Sequence, residues 1–269
     1  HALCYYLNKS PHVKKIFCFP GNAGTNLIGE NIQIDINNFT EIKNFILKNN
    51  INYIIVGPEK PLVDGLVDYL ESYQIKVFGP NKTSKIFTKK LCEKYKIPTA
   101  KFGTFSNKNS AINFVTNAKY PLVIKADGLA SGKGVYIPSD SKTAIQSVNE
   151  IFDGKFGKAN EILIEEFIDG EEMSYFIISD GKTYKKFQTA QDHKRVGEGD
   201  KGKNTGGMGA YSPSRLITKE LDKKIIDKII EPTLKGLNDI GSKYKGFLYA
   251  GLMIVENEPF LIEYNVRMG

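Results

Sequence analysis

The chain has 269 residues, 41% of them hydrophobic and 25% charged, which is typical of a folded globular protein and not of a disordered one. No apolar run approaches the roughly 18 residues that a membrane-spanning helix needs, so the sequence predicts no membrane span. The net charge of +7 suits anionic ligands. Because the lysines are scattered and not gathered with aromatic residues, small anionic substrates are favoured over nucleic acid.

Cysteine and histidine usage indicates a reducing compartment and argues against a zinc site. Cys4, Cys18 and Cys92 show no metal-ligand spacing and cannot all pair, and the three histidines form no cluster with them. No signal peptide is recognisable, so we expect a cytoplasmic protein. The chain begins within a helical pattern and stops directly after an apolar strand, and we therefore expect it to be a segment of something longer.

Strand and helix patterns alternate along residues 1–80. The strand patterns cover 15–19, 51–56 and 75–78, and the helix patterns between them cover 42–46 and 62–73. This spacing predicts parallel βαβ units with helices on both faces of a sheet.

Two loops after these strands carry candidate ligand groups, because ligands of parallel sheets bind at the carboxyl ends of the strands. The first loop offers backbone N–H groups and a hydroxyl for a phosphate or sugar oxygen, through Gly21, Asn22, Ala23, Gly24 and Thr25. The second offers the carboxylate of Glu59 for a hydroxyl or an amine. Plain turns after strands would give the same patterns.

The next stretch, 81–118, is mainly helical, with a basic helix at 83–95. Lys85 and Lys89 lie one turn apart on one face of it. We expect both to be solvated lysines.

A glycine-rich loop lies between two short strand patterns at 121–124 and 135–137. The first strand ends at Lys125, and the loop contains a second lysine, Lys133. Glycines allow several backbone N–H groups to converge on one point, so the loop is suited to the phosphates of a nucleotide. A strand follows the loop where a P-loop or a dinucleotide fingerprint would have a helix, which is the layout of a flap over a nucleotide. A hairpin with two solvated lysines would look similar.

Carboxylates accumulate where the strand pattern at 162–164 ends. Glu165 and Glu166 follow that strand directly, and Glu172 opens a hairpin that turns at 180–181. We expect these acidic residues at a sheet edge, where they could accept hydrogen bonds from an adenine amino group or from ribose hydroxyls. Surface charge on a hairpin is the alternative.

The segment 191–213 is long and polar, as functional or disordered loops are. Its basic cluster beside a second glycine loop suggests an anion site that closes over substrate, in which His193 is either a base or a positional residue. A long amphipathic helix is predicted at 216–237, bent at Pro232.

The last strand pattern places Glu263 and Asn265 on the same face. Two oxygen donors there suit Mg²⁺ bridging nucleotide phosphates. A solvent-exposed strand face without a metal is the alternative.

Seven motifs distributed along the whole chain resemble the ATP-grasp ligases. Within these they are most similar to the phosphoribosylamine–glycine ligase (glycinamide ribonucleotide synthetase) family. The motifs are PGNAGT at 20–25, VGPE at 56–59, IKADGLASGKGV at 124–135, EEFIDGEE at 165–172, QDHKR at 191–195, NTGGMGAYSP at 204–213 and EYNVR at 263–267.

The resemblance implies an α/β N-terminal preATP-grasp domain with parallel βαβ units at 1–80. It implies a two-lobed α+β ATP-grasp domain at 81–269, with a nucleotide-covering flap at about 119–188 and a C-terminal domain that this chain lacks. The implied reaction joins glycine to 5-phosphoribosylamine through glycyl phosphate, with ATP and Mg²⁺ or Mn²⁺ as cofactors. We expect a monomer without nucleic-acid or membrane partners.

The resemblance also implies roles for particular residues. The implied catalytic residues are Lys125, Asp192, Lys194 and Arg267. Those implied for ATP are Lys85, Lys125, Asp127, Gly128, Ser131, Gly132, Lys133 and Gly134 at the phosphates, Glu165, Glu166, Phe167 and Ile168 at adenine, and Glu172 at ribose. Those implied for the substrates are Gly21, Asn22, Ala23, Gly24, Thr25 and Glu59 for phosphoribosylamine, and Asp192, Lys194, Gly206, Gly207 and Arg267 near glycine. The implied metal ligands are Glu263 and Asn265.

The chain departs from the family pattern at 79–85, which is several residues shorter and leaves the role of Lys85 open. Two other functions stay open as well. One is an ATP-grasp ligase for a different carboxylic acid, and the other is a nucleotide-binding module without catalysis.

Overall fold

The computed structural model describes residues 1–79, 85–126, 134–155, 157, 160–193, 195–198, 201–205 and 207–266. The chain divides into two compact units, His1–Phe78 and Gly79–Gly269. Each unit has its own arrangement of helices and strands. Within the described residues, every helix is too short or too polar to traverse a bilayer.

Short parallel strands and helices make up the first unit. Its elements in order are α1 (Ala2–Asn8), β1 (Phe17–Cys18), a 3₁₀ turn (Thr25–Leu27), β2 (Glu30–Asn31), α2 (Phe39–Lys48), β3 (Ile54–Ile55), α3 (Glu59–Val63), α4 (Leu66–Glu71) and β4 (Val77–Phe78). Strand β1 pairs in parallel with β2, and β3 pairs in parallel with β4. The predicted parallel pairing is therefore present, although the strands are shorter than the apolar runs.

The predicted single helix at 62–73 is wrong. Two helices, α3 and α4, occupy this stretch and meet at Gly65, whose φ is +91°. A left-handed backbone cannot continue a right-handed helix, and glycine adopts it without steric cost. The chain therefore turns at Gly65, and the apolar side chains of α4, including Leu66 and Leu70, are buried.

The second unit contains two four-stranded antiparallel sheets. Its elements in order are α5 (Lys85–Tyr95), β5 (Phe102–Phe105), α6 (Lys108–Thr116), β6 (Leu122–Ala126), β7 (Val135–Tyr136), α7 (Ser141–Phe152), β8 (Ile162–Glu166), β9 (Glu171–Asp180), β10 (Tyr184–Lys186), β11 (Gln191–Asp192), β12 (Arg195–Gly197), β13 (Lys201–Asn204), β14 (Ala210–Tyr211), α8 (Lys219–Ile225), a π-helical turn (Ile226–Ile230), α9 (Glu231–Asp239), β15 (Lys245–Val255) and β16 (Glu258–Asn265). The strand orders are β5-β8-β6-β7 and β10-β9-β15-β16.

Helices α6 and α7 cover one face of the first sheet. Alternate residues of its central strands, such as Ile124 on β6 and Ile164 on β8, are fully buried against Val115 of α6 and Val148 of α7. Because side chains alternate across a strand, the residues between them point to the opposite face. That opposite face carries Lys125 and Glu165.

The second sheet is covered by α5, α8 and α9. Met173 and Tyr175 of β9, together with Leu252 of β15, lie in a core with Leu91 of α5 and Leu221 of α8. The intervening residues of these strands face away from the helices. Each sheet thus has one face packed with helices and one face available for other groups.

The predicted helix at 216–237 is two helices joined by the π-helical turn Ile226–Ile230. Pro232 occupies the first turn of α9, the part of a helix that tolerates proline best. The wider turn before it keeps Ile229 and Ile230 buried in the core. The helix type changes locally just before Pro232, and a bend at Pro232 stays a prediction.

A β-bulge interrupts the pairing of β15 with β16. Gly251 lies opposite Glu263 and Leu252 lies opposite Leu261, so Ile262 is the extra residue. Leu261 and Tyr264 both pack in the core, at a spacing of three instead of two. The bulge therefore reverses the alternation and turns Glu263 away from the core.

Candidate functional site

The loop Gly21–Thr25 of the first unit is shaped by its own hydrogen bonds. The Asn22 N–H donates to Thr25 Oγ1 at 2.7 Å, and the Thr25 N–H donates to Asn22 Oδ1 at 3.0 Å. The buried Thr25 hydroxyl lies 2.8 Å from Asn31 Oδ1, to which it donates. Asn31, which the sequence did not single out, therefore supports this loop.

Gly21 is required by this geometry. Its φ is +81°, and a Cβ added there would lie 2.1 Å from Asn31 Oδ1. Glycine alone satisfies both the backbone conformation and the close approach. The other candidate of this unit, Glu59, begins α3, and its side chain lies outside the described atoms.

Three charged side chains form a buried cluster in the second unit. Lys89 of α5 and Lys125 of β6 both form ion pairs with Glu165 of β8, with 2.5 Å between Lys125 Nζ and Glu165 Oε2. Lys89, Lys125 and Glu165 are only 2%, 7% and 3% exposed. We call this group the lysine–glutamate cluster.

Burial and charge act in opposite directions on this cluster. Burial alone would raise the pKa of the Glu165 carboxyl, but the positive charges of Lys125 and Lys89 outweigh it and hold that pKa below its ordinary value. Burial lowers the pKa of the Lys89 ammonium, and the nearby Lys125 lowers it further, against the opposing attraction of Glu165. Glu165 therefore supplies the attraction that opposes the effect of burial on the charged form of Lys89.

Two sequence predictions fail at this cluster. Lys89 is not a solvated lysine, because α5 packs close enough to β8 for its ammonium to reach Glu165. Glu165 and Glu166 are not at a sheet edge, because β8 lies between β5 and β6. Lys85 begins α5, and its side chain lies outside the described atoms.

A hydrogen-bonded chain connects the cluster to the second sheet. Lys89 Nζ donates to Thr99 Oγ1, and the Thr99 hydroxyl donates to the carbonyl of Leu261 at 2.6 Å. The Leu261 N–H in turn donates to the Pro98 carbonyl at 2.7 Å. Leu261 is on β16, two residues before Glu263, so the strand with the predicted metal ligands is tied to Lys89.

An open pocket of about 320 Å³ lies on the helix-free face of the second sheet. Glu172, Asp192 and Glu263 line it together with Ser174 and Tyr249. Its described lining contains no lysine or arginine. The structure thus brings together three residues predicted separately for ribose, glycine and metal, and we call this the carboxylate pocket.

The predicted metal ligands are adjacent in the structure. The side-chain amide of Asn265 donates to Glu263 Oε1 at 3.3 Å. Within the described part of the chain, no group of three or more Asp, Glu, His and Cys side chains is arranged to hold a metal ion. Two oxygen donors without a full protein cage fit a Mg²⁺ ion that takes its other ligands from phosphates and water.

Asp192 is positioned by a small antiparallel pairing of β11 with β14, in which it lies opposite Ala210. The His193 N–H donates to the Gly209 carbonyl at 2.9 Å, and a Cβ built on Gly207 would lie 3.5 Å from Asp192 Oδ1. The second glycine loop therefore folds back on Asp192. The exposed His193 ring lies against Tyr211, with 5.7 Å between centroids.

The predicted adenine segment continues from β8. The Glu166 carboxylate accepts from the Lys101 N–H at 3.0 Å and so fastens the start of β5. Phe167 and Ile168 follow as half-buried residues. Their contact with adenine stays a prediction.

The glycine-rich loop is closed at its base, where the Ala126 N–H donates to the Gly134 carbonyl at 2.9 Å. Eight predicted site residues lie outside the described residues. They are Asp127, Gly128, Ser131, Gly132, Lys133, Lys194, Gly206 and Arg267.

Known proteins match this chain along its whole length. The curated phosphoribosylamine–glycine ligase of Mesorhizobium japonicum is 46% identical over 276 residues, which cover 100% of this chain and 65% of the relative. The chloroplastic phosphoribosylamine–glycine ligase of Arabidopsis thaliana is 45% identical over 282 residues, covering 100% and 53%. The chain therefore spans about two thirds or less of the length of these relatives.

A solved structure and two family models agree with these matches. The crystal structure of phosphoribosylamine–glycine ligase from Thermotoga maritima superimposes with a TM-score of 0.84 at 32% identity, covering 100% of this chain and 66% of that one. The family models for the N domain and for the ATP-grasp (A) domain of phosphoribosylglycinamide synthetase match residues 1–86 and 83–269. The predicted family and fold class are thus confirmed, and the chain belongs to the phosphoribosylglycinamide synthetase family.

Proposed function

We propose that this chain carries out the ATP-dependent ligation of glycine to 5-phosphoribosylamine, giving glycinamide ribonucleotide, ADP and phosphate. The observation that carries the proposal is the pairing of a buried cationic cluster with an open carboxylate pocket in one compact unit. Membership of the synthetase family supplies the identities of the two substrates.

The carboxylate pocket favours a metal–nucleotide over a bare nucleotide. The carboxylates of Glu172, Asp192 and Glu263 repel phosphate groups. Glu263 and Asn265 would hold Mg²⁺ or Mn²⁺, which would supply neutralising charge to the phosphates. Lys125 of the first sheet adds a positive charge.

The reaction needs positioned charges and no covalent protein nucleophile. A carboxylate oxygen of glycine attacks the γ-phosphorus of ATP, the bond from that phosphorus to the β,γ-bridging oxygen breaks, and ADP leaves with the electron pair. The amine of phosphoribosylamine then attacks the carbonyl carbon of glycyl phosphate and loses a proton. Phosphate leaves and keeps the oxygen that came from glycine.

Each group of residues has one task in this proposal. Lys125 neutralises the transferring phosphate, and the loop ending at Gly134 covers it. Asp192 orients the ammonium group of glycine near the carboxylate pocket, and Lys194 and Arg267 hold the carboxylate of glycine and the acyl phosphate. The loop Gly21–Thr25 and Glu59 hold phosphoribosylamine.

Location and assembly are part of the same proposal. We place the protein in the cytoplasm and expect it to act as a monomer without nucleic-acid or membrane partners. Light scattering of the purified gene product measures its mass directly, and a stable oligomer would contradict the monomer.

The test is ADP release by the intact gene product with ATP and Mg²⁺, leaving out glycine and phosphoribosylamine in turn. We expect ADP only when both are present. ADP with another carboxylic acid in place of glycine would indicate a different ATP-grasp ligase. ADP with neither substrate would indicate an uncoupled ATPase, and nucleotide binding without ADP in any mixture would indicate a non-catalytic module.

A further inference from the structure

Lys89 has no role in the function proposed above, yet it is among the most buried charged residues of the chain. Its ammonium contacts the Glu165 carboxylate and the Thr99 hydroxyl. A buried lysine is unusual unless a partner compensates its charge. The position of Lys89 therefore calls for an explanation in terms of Glu165.

Glu165 forms ion pairs with two lysines through different oxygens. Lys89 contacts Oε1 and Lys125 contacts Oε2. When Lys125 turns to a phosphate, Glu165 still has Lys89 as its counterion. Without Lys89, the same movement of Lys125 would leave a buried carboxylate without compensation, which is strongly unfavourable.

Lys89 is also connected by hydrogen bonds to the strand of the second sheet that lines the carboxylate pocket. Through Thr99 it is tied to the carbonyl of Leu261, on the strand that carries Glu263. Lys89 therefore contacts Glu165, which is the ion-pair partner of Lys125. Through Thr99 it is also hydrogen-bonded to the strand that carries the predicted metal ligands.

We propose that Lys89 is a positioning residue that keeps Glu165 neutralised, so that Lys125 is available to the nucleotide phosphates. This inference rests on the proposed function only in taking Lys125 as a phosphate-binding group. It predicts that Lys89 and Glu165 act as a pair, whose charges must be kept together or removed together.

The experiment compares Lys89→Met, Lys89→Arg and the double variant Lys89→Met/Glu165→Gln in the intact gene product. The readouts are the dissociation constant of the β,γ-imido analogue of ATP with Mg²⁺, measured by calorimetry, and kcat and KM for ADP release. Lys108→Met is the matched control, because Lys108 pairs with Asp153 on the surface of the same unit, at 2.9 Å.

We expect Lys89→Met to weaken analogue binding by about 10- to 100-fold, the usual loss when a group that orients a direct ligand is removed. Lys89→Arg should recover most of that loss. The double variant should bind more tightly than Lys89→Met, because no buried carboxylate then competes for Lys125. Lys108→Met should bind as the wild type does.

Three results would overturn the inference. They are unchanged binding in Lys89→Met, a double variant weaker than Lys89→Met, and wild-type protein that binds no adenine nucleotide. A general packing role for Lys89 predicts the second result, because each substitution would then add damage, and thermal unfolding of each variant verifies that it is folded. Wild-type protein that binds the analogue but releases no ADP would contradict the proposed ligase, while the binding comparison would still decide the role of Lys89.

Discussion

The lysine–glutamate cluster and the carboxylate pocket use the same kinds of residues in opposite ways. In the cluster, Lys89, Glu165 and Lys125 are buried and compensate one another. In the carboxylate pocket, Glu172, Asp192 and Glu263 surround an open space of about 320 Å³, and the part of the lining that the structure describes has no lysine or arginine. The cluster contains charges of both signs, whereas the charged residues in the described lining of the pocket are all acidic.

This difference separates two contributions to a phosphoryl-transfer site. Charges that are buried and paired have fixed positions, and fixed positions are what transition-state stabilisation requires. Charges that face open solvent give selectivity for a cationic or metal-bound ligand. Substitutions should therefore affect stability in the cluster and ligand requirement in the pocket.

The largest expected effect on stability comes from Glu165→Gln. Removing the shared carboxylate leaves two buried ammonium groups without an anion, and breaking a buried ion pair in this way costs about 3–5 kcal/mol of unfolding free energy. Urea unfolding of the variant measures the loss. Lys108→Met, which removes a surface pair, should cost no more than about 1 kcal/mol. Equal losses of unfolding free energy in the two variants would mean that the buried cluster contributes no more to stability than a surface ion pair.

Lys125→Met should produce the largest effect on turnover. Loss of one preorganised charged donor typically lowers kcat by about 100- to 1,000-fold, and the uncharged methionine keeps most of the side-chain volume. The measurement is steady-state ADP release with both substrates saturating, with Lys108→Met as the control. Substantial remaining activity in Lys125→Met would refute its assignment to the phosphates.

Glu263→Gln should have a smaller effect, and a different one. It removes one negative charge from the carboxylate pocket while keeping the side-chain shape, so the Mg²⁺ concentration for half-maximal activity should rise about tenfold or more, in line with metal sites that lose a supporting group. The measurement is a Mg²⁺ titration at fixed ATP, and Glu258→Gln on the same strand, outside the pocket, is the control. An unchanged titration would place the metal elsewhere.

The smallest expected effect is on the pH dependence of stability. The pKa of Glu165 is below its ordinary value of 4.5 in the folded chain, so the unfolded chain binds more protons there and stability falls as pH drops below 4.5. The lowered pKa of Lys89 likewise makes stability rise with pH in the alkaline range, up to the ordinary lysine pKa of 10.5. Urea unfolding from pH 3 to 7 should show a shallower acid slope in Glu165→Gln than in wild type. Parallel slopes would mean that Glu165 is not ionised in the folded chain.

Several residues of the two regions could be predicted from the alternation of side chains along the strands. The strand ending at Lys125 was predicted from its apolar run, and Glu263 and Asn265 were predicted to share a face, as they do. The three carboxylates of the pocket were each singled out by local chemistry or by the family resemblance. Their roles toward ribose, glycine and metal remain predictions.

The failures have tertiary causes. Lys89 is buried because α5 packs in the core of the second sheet and its ammonium reaches Glu165 of β8. No local pattern distinguishes it from a solvated lysine one turn of helix from Lys85. The bulge at Ile262 leaves no signal in an apolar strand, although it turns Glu263 away from the core. The sequence did contain a signal for the helix break at Gly65, because a glycine inside a helical pattern weakens the prediction of one continuous helix.

The most direct test of the account is to follow oxygen from glycine. With glycine labelled with ¹⁸O in both carboxylate oxygens, together with unlabelled ATP and phosphoribosylamine, mass spectrometry of the inorganic phosphate measures whether the carboxylate accepts the phosphoryl group. The account predicts one ¹⁸O atom in each phosphate released, because the leaving phosphate keeps the oxygen that attacked ATP. Unlabelled phosphate would mean that water accepts the phosphoryl group, and it would contradict the ligase mechanism.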